Sequence, residues 1–485
     1  MNPINIRRIF IALASLAFAG VAVAMWAAPD QAARAFGLEA IGTAGRTSLR
    51  ADLGGLFASL ALLCGASAWT GLRSWQLAAA GVMGAIVTGR VIAWLAGGPD
   101  GDIPSFAIEI AVLTMLLWNS RVSRRSVLVT AALALVLITG MAALPTAGFE
   151  QRIYERAASQ MAGAVNDAPL ADDALRVALC GTSAPLPSAD RAKACVTVFA
   201  GGKFYIVDAG PESVENLVRW GIPMASIGGV MLTHFHSDHI GDLGELNLQT
   251  WAGGRPSPLM VYGGPGVEAV VDGFNVAYRQ DQGYRTAHHT AAVMSPAAWP
   301  MIARPIAMPG DPSPAMDRSH VVLNDGALTV TAYEVDHAPI APAYAYRFDY
   351  QGRSVLVTGD LKYNPSLVKA ARGADVMVSE AIAMSMTRAL GQGARAAGRD
   401  RAAKIMHDIE DYHITPEQSS QIANDAGVKL LVFYHLLPAP DGWLPRKLFT
   451  QGIDVVRKGE WTMADDGSLY TLPIGSNDVR RGRIE

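Results

Sequence analysis

Residues 232–242 read Leu-Thr-His-Phe-His-Ser-Asp-His-Ile-Gly-Asp, and no other stretch restricts the fold so tightly. An apolar run, 229–233, reads as a buried strand that delivers the chain to this loop. His234 and His236 lie two positions apart, so extended backbone turns both to one side. Asp238 and His239 follow where the chain turns. Three imidazoles and a carboxylate this close suit zinc, which takes nitrogen and oxygen ligands at about 2.0–2.2 Å. They are too many for one closed structural site without cysteine. They suit two adjacent divalent ions, each completed by ligands from elsewhere in the chain. All ten histidines lie between His234 and His435, which confines this chemistry to one domain.

The chain before that domain has a different character. Hydrophobic residues make up 51% of the 485 and charged residues only 17%, against a usual charged share of about 25%. The apolar excess precedes residue 146. Five stretches, 9–28, 53–69, 77–95, 106–118 and 127–144, approach the roughly 20 apolar residues that a membrane-spanning helix needs. The expectation is an all-α transmembrane bundle of about five helices. Its domains are four helices over 1–120, a fifth helix with its connection over 121–150, and a soluble domain over 151–485. Arg7, Arg8, Arg73, Arg121, Arg124 and Arg125 place the N-terminus inside, so the soluble domain emerges outside. Arg34, Arg46 and Arg50 in the first connection dissent. The first segment also reads as a signal peptide, with Ala22-Val23-Ala24 resembling a cleavage site. Arg90 and Glu109 fall at similar depth in neighbouring helices and are expected to pair. A net charge of −3 does not suggest a protein built to hold nucleic acid, which usually shows a basic stripe, and leaves a local basic patch open.

From residue 175 onward, short apolar runs alternate with helical patterns, as in a layered α/β domain. Strands are expected at 176–180, 195–199, 204–207, 355–358, 376–379 and 430–434, with helices at 211–220 and 415–426. Cys180 and Cys195 flank a loop between two expected strands that can pair. Outside the cytoplasm they are expected to form a disulfide.

The pattern His-x-His-x-Asp-His after a strand resembles the signature of the metallo-β-lactamase superfamily, and further motifs follow in order. Val207-Asp208-Ala209-Gly210 resembles its first motif, Asp336-His337 its third, Val357-Thr358-Gly359-Asp360 its fourth, and Val432-Phe433-Tyr434-His435 its last. Tyr412-His413-Ile414-Thr415-Pro416-Glu417 and Leu179-Cys180-Gly181-Thr182 resemble elements of the ribonuclease Z and arylsulfatase branch. The resemblance implies an αββα sandwich holding two divalent ions, zinc by default. One ion would take His234, His236 and His337. The other would take Asp238, His239 and His435, with Asp360 bridging both. Asp238 and His413 would be catalytic, His413 as the acid that protonates the leaving group, and Asp208 would orient a ligand loop. His288 and His289 are candidates for the substrate pocket. Related enzymes are commonly dimers, which implies a homodimer.

The activity so implied is a membrane-anchored, binuclear hydrolase of a small phosphodiester or aryl sulfate ester. It would sit in a bacterial inner membrane with its catalytic domain periplasmic and the lipid bilayer as a partner. Lactonase, transfer-RNA 3′-processing nuclease and non-catalytic metal sensor are the alternatives. The nuclease branch carries a long arm between the third and fourth motifs. Here His337 and Asp360 are only 23 positions apart, which points away from nucleic acid. Residues 1–120 resemble a four-helix bacterial membrane family of uncharacterised function, on Arg50-Ala51-Asp52-Leu53-Gly54-Gly55, Gly89-Arg90 and the acidic turn before Glu109.

Overall fold

The computed structural model describes residues 3–34, 36, 42–95, 103–117, 151, 154–156, 158–159, 165–311 and 316–484. The chain divides into two compact units, Met1–Ala162 and Gly163–Glu485.

In the first unit, helices cover Pro3–Ala27, Gly55–Thr70, Arg73–Leu95 and Ile103–Leu117. A π-helical turn at Leu49–Gly54 joins Gly42–Ser48 to Gly55–Thr70, so the second apolar stretch is longer than its composition suggests. Two helices among the described residues are long and apolar enough to cross a membrane, Arg8–Ala27 and Gly45–Thr70. That falls short of the expected five spans, whose last, 127–144, lies outside the described residues. Two of the dissenting arginines, Arg46 and Arg50, are engaged within the unit. Arg46 Nε lies 3.1 Å from an Asp30 carboxylate oxygen, and Arg50 Nε donates to the Trp26 carbonyl at 3.1 Å. The expected pair forms, with Arg90 Nε 2.7 Å from both Glu109 oxygens.

The second unit stacks two sheets. Its strands are β1 (Ala174–Gly181), β2 (Cys195–Ala200), β3 (Lys203–Val207), β4 (Ile227–Met231), β5 (Leu259–Gly263), β6 (Met301–Pro305), β7 (Ser319–Asp325), β8 (Leu328–Glu334), β9 (Tyr344–Tyr350), β10 (Arg353–Val357), β11 (Val376–Ile382), β12 (Leu430–Leu437), β13 (Glu460–Met463), β14 (Ser468–Pro473) and β15 (Arg480–Arg483). One sheet has the order β15-β14-β1-β2-β3-β4-β5-β6, the other β13-β12-β11-β10-β9-β8-β7. Period-two alternation assigns each side chain a layer. Leu175, Val177 and Leu179 of β1 meet Val355, Val357, Val376 and Val378 between the sheets. Ala178 and Cys180 turn outward to Val214, Leu217, Leu243 and Val271. Beneath the other sheet, Leu356, Met377, Leu431 and Phe433 pack on Leu367, Ile422 and Phe449. The result is the expected αββα order of layers.

The expected strands form within a few residues of their sequence bounds. The helix at 415–426 is Pro416–Asp425, started by a Thr415–Gln418 capping box. The 23 positions from His337 to Asp360 are filled by the antiparallel β9–β10 hairpin, with Tyr350 opposite Arg353. Its two-residue turn, Gln351-Gly352, has positive φ at both positions, 46° and 79°, as tight hairpins require. Cys180 and Cys195 form the expected disulfide. Cys64 is free and buried.

Candidate metal centre

Strand ends bring the centre together. His234 follows β4, His337 follows β8, Asp360 follows β10, and His435 lies within β12. The two ligand loops approach closely because residue 359 is glycine. Its φ is +60°, and an added Cβ would sit 2.7 Å from Thr233 Cβ. Gly210 serves the same purpose, since a Cβ there would meet the Asp238 carbonyl at 2.2 Å.

His234, His236, His337 and Asp360 each place a ligand atom within 4.8 Å of the others, and so do Asp238, His239 and His435. These are the two triads expected from sequence. Asp360 stands between them. Its Oδ2 is 4.0 Å from both His234 Nε2 and His337 Nε2, and 3.4 Å from His239 Nε2. Its Oδ1 is 3.4 Å from His435 Nδ1.

The surrounding hydrogen bonds decide which ring nitrogens face inward. Asp208, fully buried at φ 59°, accepts from Thr233 N–H at 2.8 Å, Thr233 Oγ1 at 2.7 Å and His239 Nδ1 at 2.7 Å. With its proton given to Asp208, the Thr233 hydroxyl accepts from His234 Nδ1 at 3.1 Å. His337 Nδ1 donates to the Tyr412 carbonyl at 2.8 Å. Each bond leaves an Nε2 lone pair toward the centre, the arrangement that metal-binding imidazoles require.

The donor set fits divalent ions. His337 Nε2, Asp360 Oδ1 and His435 Nδ1 are buried without a hydrogen-bond partner. His234 Nε2 and His236 Nδ1 are held 2.9 Å apart, and His239 Nε2 and His435 Nε2 3.3 Å apart. A proton can bridge either contact, and a divalent cation held between the two nitrogens would serve the same end. Burial keeps His234 and His236 neutral by lowering their pKa values, and holds His337 down to about 4. At His239 burial also opposes charge, but Asp360, Asp208 and Asp238 outweigh it and raise the pKa well above the usual imidazole value. The field that holds a proton there favours a metal cation equally. At Asp360, burial opposes ionisation, and the imidazoles of His435 and His239 overcome it.

His413 lies beside this cluster and is paired with a residue that sequence reasoning missed. Its Nδ1 donates to Glu380 at 2.9 and 3.0 Å. Glu380, wholly buried within β11, also accepts from Leu361 N–H at 2.9 Å. Burial opposes the charge of His413, but Glu380 and then Asp360 outweigh it and raise its pKa. The only sequence signal for Glu380 was an acid closing an apolar run. A cavity of 270 Å³ opens onto His236, Asp238, Asp360 and His413, and its facing wall is Pro185, Leu186, Ile405, Met406, Ile409, Tyr412 and Leu437. His288 and His289 are elsewhere. They end the helix Arg279–His289, exposed and packed on each other, and do not line this cavity.

Two stacked sheets that gather histidines and aspartates at their strand ends define a metal-dependent hydrolase of the αββα class. Residues 204–436 match the family model described as a β-lactamase superfamily domain. Ribonuclease Z of Mycobacterium avium is 33% identical over 272 residues, covering 55% of this chain and 87% of the relative. Ribonuclease Z of Mycobacterium bovis (BCG) is 33% identical over 269 residues, with the same coverage. The chain therefore belongs to the metallo-β-lactamase superfamily, among relatives of ribonuclease Z. Among solved structures it is similar to human tRNase Z, short form, at 20% identity, covering 62% of this chain and 100% of that one, with a TM-score of 0.43. The mycobacterial relatives' name, ribonuclease Z, leaves the expectation against nucleic acid unsupported.

Proposed function

We propose that the chain is a membrane-anchored hydrolase of a phosphodiester, or of an aryl sulfate ester. His234, His236 and His337 would hold one divalent ion and Asp238, His239 and His435 a second, with Asp360 between them and zinc as the metal. Two such ions supply an activated water near neutral pH and stabilise charge on the leaving oxygen. The rest is the work of side chains. Asp238 orients its half of the centre, with an oxygen 3.2 Å from His435 Nε2. His413, its Nδ1 committed to Glu380, keeps Nε2 free to carry a proton to the leaving oxygen. Against burial, Glu380 and then Asp360 raise the His413 pKa, which favours the protonated form. The apolar wall excludes water and accepts an apolar leaving group.

The observation that carries this reading is the buried His413–Glu380 pair beside the seven ligands. A site that only bound or sensed a metal has no use for a proton donor aimed into a cavity. Anchoring rests on the two membrane-capable helices, and an outside location on the disulfide. A second reading, cleavage of an RNA phosphodiester, is favoured by the relatives named ribonuclease Z. Against it stands the hairpin that fills the stretch between His337 and Asp360.

The test uses the full chain in detergent, metal-loaded, on an aryl phosphodiester, an aryl sulfate, a lactone and an RNA with a 3′ extension. Chelator-sensitive turnover of the phosphodiester, abolished in His236→Ala, is expected. Turnover of the RNA alone would establish the second reading, and turnover of none would remove the hydrolase assignment for these classes.

A further inference from the structure

A helical hairpin, Met384–Ala396 and Asp400–Asp408, is inserted between β11 and the His413 segment. Its second helix gives Ile405 and Met406 to the apolar wall of the cavity. Its first packs against the short helix Trp443–Phe449. That short helix follows closely on Leu437, another wall residue. Asp441, between the two, accepts a hydrogen bond from Ser188 at 3.0 Å, and Ser188 lies two positions from wall residue Leu186. The mouth of the cavity and the short helix therefore form one continuous surface.

That surface is apolar where water is expected. Trp443 is 76% exposed, Leu444 48% and Leu448 42%, and on the neighbouring helices Leu390 and Ile405 are each 48% exposed. Such side chains together present roughly 400 Å², the scale at which an exposed patch marks an interaction site. Charge identifies the partner. Neither Met384–Ala396 nor Trp443–Phe449 contains an aspartate or glutamate, and of their four cations Arg388 is paired with Glu410 and Arg446 with Asp465, which leaves Arg395 and Lys447 for a partner. Arg395 and Lys447 are exposed. Tryptophan and leucine beside the exposed cations Arg395 and Lys447 suit the headgroup region of an anionic bilayer.

We infer that Trp443, Leu444, Leu448 and Leu390 form a docking surface for an anionic lipid bilayer, which sets the mouth of the cavity against the membrane. An amphiphilic ester then reaches the centre along the apolar wall without crossing water. That last consequence rests on the hydrolase reading; the docking surface does not.

The test places a nitroxide at Leu444→Cys, in a Cys64→Ser background, in the full chain reconstituted into nanodiscs containing phosphatidylglycerol. Relaxation by oxygen is compared with relaxation by a water-soluble nickel chelate. A label at exposed Tyr284→Cys, on the helix Arg279–His289, is the water-facing reference. Oxygen access exceeding nickel access at residue 444 by several-fold relative to residue 284 is expected. Equal, water-like access at both positions overturns the inference. Loss of access to both reagents at residue 444 also overturns it, because the surface would then be covered by a second copy. Neither readout depends on turnover, so failure of the surface and failure of the hydrolase reading are separable.

Discussion

Replacing Asp208 by asparagine tests whether the ligands are oriented by the carboxylate behind them. The side chain keeps its shape, and one oxygen remains to accept from Thr233 N–H, now 2.8 Å away. The other oxygen becomes an amide that donates where His239 Nδ1–H and the Thr233 hydroxyl already donate at 2.7 Å. His239 therefore loses a charge-assisted hydrogen bond, worth about 1.5–3 kcal/mol, and with it the preference for presenting Nε2 inward. As a metal affinity this is a loss of about 10–100-fold at the set formed by Asp238, His239 and His435. The set of His234, His236 and His337 should weaken by less than about tenfold, because His234 depends on Asp208 only through the Thr233 hydroxyl at 3.1 Å. Calorimetric titration of metal-free protein with zinc, against a competing chelator, resolves the two classes. Circular dichroism confirms that the variant is folded. Two sites of unchanged affinity in folded Asp208→Asn protein would refute the assignment of Asp208.

Glu380→Gln should lower kcat by about 10²-fold or more and move the alkaline limb of the pH–rate profile to lower pH. The sign follows from Glu380 raising the His413 pKa: without it the acid loses its proton sooner. An unmoved limb would remove His413 as the acid. Replacing Cys180 and Cys195 with alanine should destabilise the second unit by about 3 kcal/mol, the chain-entropy value for a loop of about 15 residues. Unreduced, unfolded wild-type protein should titrate one thiol, Cys64; three thiols would show the disulfide to be absent. His288→Ala combined with His289→Ala should change kcat/KM by no more than about twofold, within the roughly 0.5 kcal/mol typical of exposed substitutions. A larger loss would return both residues to the substrate path.

The candidate ligands were legible because metal chemistry concentrates rare residue types where apolar runs end. His234, His337, Asp360 and His435 each close such a run, and in the structure each lies at or near a strand end. Sheet order was not legible. The inner strands β1, β2, β10, β11 and β12 are buried on both faces, so their sequences lack the polar alternation that tells one face from the other. Glu380 was missed for the related reason that one acid after an apolar run resembles any strand end. Its function comes from His413, 33 positions away in sequence. His288 and His289 stood out because adjacent histidines suggest chemistry, and in the structure they end an exposed helix outside the described cavity. In the first unit, the Arg90–Glu109 pair was legible from helix geometry alone. Of the five expected spans, two are matched by membrane-capable helices among the described residues, and the fifth lies outside those residues.

The two triads belong to one hydrogen-bonded system. Asp208 binds His239 directly and reaches His234 through the Thr233 hydroxyl, so a single carboxylate fixes an imidazole in each triad. Thr233 N–H binds that same carboxylate, and the Thr233 carbonyl accepts from Tyr344 N–H at 3.0 Å, which holds the ligand loop to the start of β9. On the other side, Glu380 holds His413 through Nδ1 and the chain just beyond Asp360 through Leu361 N–H. Two buried acids thus stand behind the centre. One orients nitrogens proposed to bind metal, and the other orients the proposed proton donor and the loop carrying Asp360. An isolated buried carboxylate is costly. Each of these is retained where its hydrogen bonds set the direction of groups that need a fixed orientation.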